Sequence, residues 1–276
     1  DGILINDPII LRLEENRFWI SIADGDLALW VQAVAAERSL DCRVFEPDVS
    51  PLAVQGPRSD DVMAGLLGDW VHRLSFFAFE EVELEGIPFV ICRSGWSGQG
   101  GFELFLTDGL RGVELWDLIW EAGLPYGICA GTPNPSERIE SELLSYRCDS
   151  GGGATPFELG LEKFVSLDRD DDFAGSEALR AESKRGPSRR LVKVRLSGEK
   201  LGTPSEEPWP ALGIDGSQVG ELRVAVWSPA MQSNLALALI EASSAGTDFA
   251  TVTPDGITLA ATHLSYFGYR NDDMGE

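Results

Sequence analysis

The sequence predicts an α+β chain that closes with a small β-barrel or jelly-roll domain, and three observations carry this prediction. Between residues 49 and 123, short apolar strand patterns surround two stretches of helical periodicity, the order of a ferredoxin-like, split βαβ layer. Beyond residue 190 the pattern changes to short strands separated by Gly and Pro turns, the rhythm of a small barrel. Between these regions, residues 180–188 read RAESKRGPS, a polar and basic stretch that predicts a linker.

The chain opens on an apolar run at residues 3–5 and a turn at Asn6, Asp7 and Pro8, followed by strand candidates at 9–13 and 17–23. This sheet looks half-built, so a further edge is expected ahead of Asp1. Residues 24–39 read as a helix with Asp24 as N-cap and Leu27, Trp30, Val31 and Val34 at helical spacing. A strand at 52–54, a turn at Gly56 and Pro57, and a helix over 59–67 capped by Ser59 come next. Strands are expected at 75–79, 80–84, 87–94 and 101–106, then helices at 112–123 and 136–146. The later strands fall at 191–196, 220–227, 233–240 and 249–252. The expected domains are therefore 1–48, 49–185 and 186–276.

Composition narrows the function. At 276 residues and 30.0 kDa with 43% hydrophobic content, the chain can bury a sizeable core. A formal charge of −23 and a pI near 4.4 repel phosphate backbones and anionic membranes, which sets nucleic acid and lipid aside as partners. No apolar run is long enough to span a bilayer and the first residues lack a signal-peptide pattern, so a cytoplasmic location is expected. Cys42, Cys92, Cys129 and Cys148 form no C-x-x-C pair and read as reduced core thiols. With only His72 and His263 present, neither in a ligand-spaced motif, no metal is expected.

The segment RSGWSGQGGFELF, residues 93–105, is the leading binding candidate. Four glycines surround Trp96, and strand alternation places Phe102 and Leu104 on one face with Glu103 and Phe105 on the other. A buried carboxylate needs donors, and two parallel N–H groups, as on an amino-pyrimidinone ring, suit it. The same residues also suit a plain Gly-rich hairpin with Trp96 in the core and Glu103 in solvent. The glycines are no phosphate loop, since they lead into a strand. Arg138 in NPSERIESELL sits in the first turn of its helix, where a cation needs a partner. Glu142 four residues on is one such partner, and a ligand carboxylate is another. Asp7, in Asn-Asp-Pro, projects a short acid from a rigid turn, although Asn and Asp before Pro are also simple turn formers.

Taken together, LINDPIILRL, RFWISIADGD, SPLAVQGP, RSGWSGQGGFELF, NPSERIESELLSY, TPFELGLEKFVSLD and GELRVAVWSP resemble the folate-binding aminomethyltransferase family. This is the family of the glycine-cleavage T-protein, and the resemblance is strongest to its tetrahydrofolate-dependent dimethylsulfoniopropionate demethylases. It runs in order from Asp1 to about Ile240 and implies a three-domain cloverleaf around folate, here with its first part incomplete. By that resemblance Glu103 grips the pterin, Arg138 lies near the folate tail, and Asp7 is the acid at the one-carbon centre. Trp19, Trp96 and Phe105 would line the space for pterin and methyl donor.

Two departures bear on the reaction. The family's Asp-Asp pair reads Asn6-Asp7, and its Asn-Ala reads Ile22-Ala23, both favouring a demethylase over glycine cleavage. The family also carries a further segment ahead of the point where this chain starts, which implies truncation at the amino terminus. The implied activity is methyl transfer from dimethylsulfoniopropionate, the small-molecule donor, to N5 of tetrahydrofolate; the assembly considered for the chain is a homodimer. Aminomethyl transfer, demethylation of a methylamine or aryl ether, and non-catalytic folate binding are the alternatives.

Overall fold

A computed structural model describes residues 1–22, 25–169 and 173–266. By internal contacts the chain forms two compact units: Ile10–Asn134, and Asp1–Ile9 with the described residues from Pro135 onward.

The first unit begins with a two-stranded sheet of β1 (Ile9–Glu14) and β2 (Arg17–Ser21), then helix α1 (Leu27–Glu37). The expected cap Asp24, like Ala23, lies outside the described residues; α1 starts after Asp26, whose side chain makes no capping bond. Strand β3 (Ser50–Gln55) leads to α2 (Ser59–Leu67), and the meander β4 (Phe79–Leu84), β5 (Ile87–Cys92), β6 (Gly101–Leu106) leads to α3 (Gly112–Gly123). Arg58, not Ser59, occupies the cap position of α2, and Ser59 is a buried first-turn residue. The strand expected at 75–79 starts only at Phe79, because Phe76 and Phe77 form a turn with Phe77 at φ 61°.

The four-stranded sheet runs β3-β6-β5-β4 with every neighbour antiparallel. Period-two alternation puts Phe102, Leu104 and Leu106 of β6 and Ile87, Phe89 and Ile91 of β5 on one face. That face packs on Val62 and Met63 of α2 and on Leu115 and Ile119 of α3, one helical turn apart. Each such buried side chain stabilises the unit by roughly 1.5–3 kcal/mol. The opposite face is left to other work.

The second unit holds α4 (Pro135–Glu140), α5 (Tyr146–Ser150), α6 (Ser176–Arg185) and six strands: β7 (Arg189–Leu196), β8 (Trp209–Leu212), β9 (Gln218–Ser228), β10 (Ser233–Glu241), β11 (Phe249–Val252) and β12 (Thr258–Leu264). The strands close into a barrel in the order β10-β7-β12-β11-β8-β9, filled by Val194, Trp209, Leu222, Ala236, Ala238, Phe249 and Leu259. Outside it, Ile139 of α4 packs on Val224, Val226, Leu235 and Leu237, so β9 and β10 are buried on both sides. The helix expected over 136–146 is two short ones, because Glu142 takes a left-handed backbone at φ 58° and ends the first. The linker expected at 180–188 is largely α6: most of its polar residues face solvent, while Ser176, Leu179 and Glu182 are buried, Glu182 accepting the Thr155 hydroxyl at 2.9 Å.

Among the described residues no helix is long and apolar enough to cross a membrane, and no grouping of His, Cys, Asp and Glu is placed to hold a metal. All four cysteines are free, but only Cys92 is a core thiol; Cys42 and Cys129 are exposed and Cys148 is half-buried.

Candidate functional site

The helix-free face of the four-stranded sheet carries the candidate residues Glu103 and Phe105. Register places Glu103 between Ala53 of β3 and Cys92 of β5, and Phe105 between Pro51 and Val90. Phe105 is buried, and the Trp19 ring of β2 meets it edge-on with centroids 6.2 Å apart. Glu103 is half-buried and accepts a short hydrogen bond at Oε2 from the hydroxyl of buried Ser94. Among the described residues Ser94 is the hydrogen-bond partner of the Glu103 carboxylate, through Oε2. Burial pushes the Cys92 thiol up, and the Glu103 charge beside it adds to the effect while a hydrogen bond with Ser94 opposes it. Trp96 stands on the glycine loop with 39% of its surface exposed. The hairpin is therefore the reverse of the plain alternative: its tryptophan is outside and its carboxylate is partly withdrawn.

Arg93 anchors the start of this loop. Its guanidinium makes paired 2.9 Å bonds to both oxygens of Asp60 on α2 and lies 4.9 Å from the centroid of Phe102. His72 approaches the same carboxylate at 3.9 Å. The loop is thus tied to the helix layer behind the sheet.

Asp7 and Arg138 belong to the other unit. The Asp7 backbone N–H donates to the Asn6 side-chain oxygen at 2.9 Å, but residues 1–8 run as irregular chain without the turn expected at Asn6, Asp7 and Pro8. Asp7 is exposed over much of its surface, yet protein packed around its carboxyl raises its pKa above the usual range. Its own backbone N–H lowers it and the Asp149 charge raises it further. Arg138 is 1% exposed and finds its partner inside the protein, bonding both oxygens of fully buried Asp149 at 3.0 and 3.1 Å. Asp149 also accepts the Ser145 backbone N–H at 2.7 Å. Beside the pair, burial pushes the Cys148 thiol up to about 12. Glu142 forms an ion pair with Lys193 at 2.5 Å.

Sequence reasoning missed Ser94, Gln55 and Asp149. Ser94 lies inside the quoted motif and Gln55 in SPLAVQGP, but neither carries a charge to attract notice. Asp149 was hidden because its partner lies beyond the helix break.

Comparison with known proteins finds relatives over most of the chain. The description "GCVT N-terminal domain" matches residues 1–169. The chain is 40% identical over 258 residues to the dimethylsulfoniopropionate demethylase DmdA of Ruegeria pomeroyi, covering 93% of this chain and 70% of that protein. It is 29% identical over 275 residues to an aminomethyltransferase of Streptomyces avermitilis, covering 96% and 72%. The crystal structure of the glycine cleavage system aminomethyltransferase T from Bartonella henselae superposes with a TM-score of 0.76 at 23% identity, over 96% of this chain and 73% of that one. The chain thus spans about seven tenths of the length of these relatives. These matches define a class, the folate-dependent one-carbon transferases, in which tetrahydrofolate accepts the one-carbon unit. Within it, the chain belongs to the GCVT aminomethyltransferase family.

Proposed function

We propose that this chain serves a tetrahydrofolate-dependent demethylation of dimethylsulfoniopropionate, giving 3-methylthiopropionate and 5-methyltetrahydrofolate. The observation that carries the folate half is Glu103: a half-buried carboxylate with Oε2 held by Ser94, on the same sheet face as Phe105. That acceptor arrangement fits the paired N–H donors of a pterin ring. The demethylase half rests on 40% identity to the Ruegeria pomeroyi protein, against 26–30% for the aminomethyltransferases, and on Asn6 standing where the family pairs two acids.

A sulfonium methyl is already activated. As folate N5 bonds the methyl carbon, the carbon–sulfur bond breaks and its electron pair leaves on a neutral thioether, so no acid need protonate the leaving group. Alignment is the main demand, and proximity alone supplies several kcal/mol. The faces of Trp19, Trp96 and Phe105 offer a cation about 0.5–2 kcal/mol each. Asp7 is assigned the N5 proton on the family resemblance, and its raised pKa suits a proton acceptor. Arg138, its charge already held by Asp149, acts as a positioning residue in this reading.

Calorimetric titration of tetrahydrofolate into wild type and Glu103→Ala tests the central contact. Losing charge-assisted bonds worth about 1.5–3 kcal/mol weakens binding roughly ten- to hundredfold. Equal affinity in the two proteins removes Glu103 from the site.

A further inference from the structure

Gln55, which opens the Gln-Gly-Pro turn at the end of β3, bonds both arms of the glycine hairpin. Its Nε2 donates to the Ser94 carbonyl at 3.0 Å and to the Phe102 carbonyl at 3.2 Å, while its Oε1 accepts the Ser97 hydroxyl at 2.8 Å. Two carbonyls on one side and a hydroxyl on the other fix the amide's orientation. The residues it grips bear directly on the Ser94–Glu103 pair: Ser94 itself supplies the hydroxyl on Glu103, and Phe102 immediately precedes Glu103.

The glycines of the motif make room for this side chain. A Cβ on Gly95 would lie 1.9 Å from Gln55 Oε1 and 2.2 Å from Nε2. A Cβ on Gly101 would lie 2.4 Å from the Val54 carbonyl and 2.7 Å from Gln55 Nε2. Both are far inside van der Waals contact, so these positions and the glutamine are packed as one unit.

We infer that Gln55 is a positioning residue for ligand recognition: by holding the Ser94 and Phe102 carbonyls together it sets the Ser94 hydroxyl on Glu103 Oε2 and aims Oε1 at the pterin. The inference rests on the pterin reading of Glu103. Gln55→Met keeps length and bulk but removes both donors and the acceptor. Misplacing a recognition group by a fraction of its hydrogen-bond length weakens binding steeply, and Gln55→Met is expected to raise the Kd for tetrahydrofolate by about tenfold or more.

The test is calorimetric titration of tetrahydrofolate into wild type, Gln55→Met, Glu103→Gln and the double variant, with thermal unfolding as the check that each is folded. Because Gln55 acts through Glu103, Gln55→Met should cost less than about twofold once Glu103→Gln is present. A general loss of structure would weaken both backgrounds alike, and that outcome overturns the inference, as does unchanged affinity in Gln55→Met. If Gln55→Met does not fold, Gly95→Ala takes its place, since its Cβ displaces the same amide and the same loss is expected. If Glu103→Gln itself leaves affinity unchanged, the pterin reading fails and this inference fails with it.

Discussion

Replacing Arg138 by Met should be among the most damaging single changes in the barrel unit. The Arg138 and Asp149 side chains are 1% and 0% exposed, and their two bonds of 3.0 and 3.1 Å leave Asp149 no access to water. In Arg138→Met the carboxylate keeps the Ser145 N–H but loses its counter-charge. Breaking one side of a buried pair typically costs about 3–5 kcal/mol, because the remaining charge stays desolvated. For a unit of this size that lowers the unfolding midpoint by roughly 6–20 °C. Urea unfolding followed by circular dichroism measures the loss. The double variant Arg138→Met, Asp149→Leu removes both charges and should recover to within about 1–2 kcal/mol of wild type. A single variant within about 1 kcal/mol of wild type, or a double variant as unstable as the single, would show that the pair is not desolvated as described.

Three further outcomes follow from named contacts. Glu158 is buried and bonded by Arg189, Ser188 and the Thr155 N–H; burial alone would raise its pKa, but these donors outweigh it and hold the carboxyl below its usual 4.5. A depressed acid contributes stability above its unfolded pKa, so Glu158→Gln should be less stable by about 1–3 kcal/mol at neutral pH. That gap should close as the pH falls below 4.5 through the folded value, which unfolding midpoints measured across pH 3 to 7 will show. Asp7 has the opposite sign: its pKa is raised above 3.8, so Asp7→Asn should stabilise the protein at neutral pH. The gain should vanish below pH 3.8, as read by scanning calorimetry at the two ends. Phe105→Ala removes a buried ring from against Trp19 and should cost about 3–5 kcal/mol, with Trp19 emission shifting to the red in the folded protein.

Much of the first unit was legible because its patterns are local. Strand β6 and helix α3 fall where alternation and 3.6-residue periodicity place them, and the same alternation separated Glu103 and Phe105 from the core-facing Phe102 and Leu104. Where tertiary contacts decide, the sequence misled. Helix α6 carries so few apolar residues that it reads as a linker, and its buried side is itself mostly polar, with Ser176 and Glu182 beside Leu179. Strand β8 is only four residues long and contains Pro210, so barrel closure, not propensity, defines it. The candidate binding face is marked in the sequence by its charged member Glu103. Its neutral supports, Ser94 and Gln55, depend on bonds spanning up to 47 residues of sequence, and no local pattern reports those.

The most direct test of the account is turnover by the native protein supplied with dimethylsulfoniopropionate and tetrahydrofolate, both products being quantified by mass spectrometry. 3-Methylthiopropionate and 5-methyltetrahydrofolate are expected in equal amounts, with the reaction suppressed in Glu103→Ala at subsaturating folate. Tight tetrahydrofolate binding with neither product formed would contradict it and return the chain to another one-carbon donor.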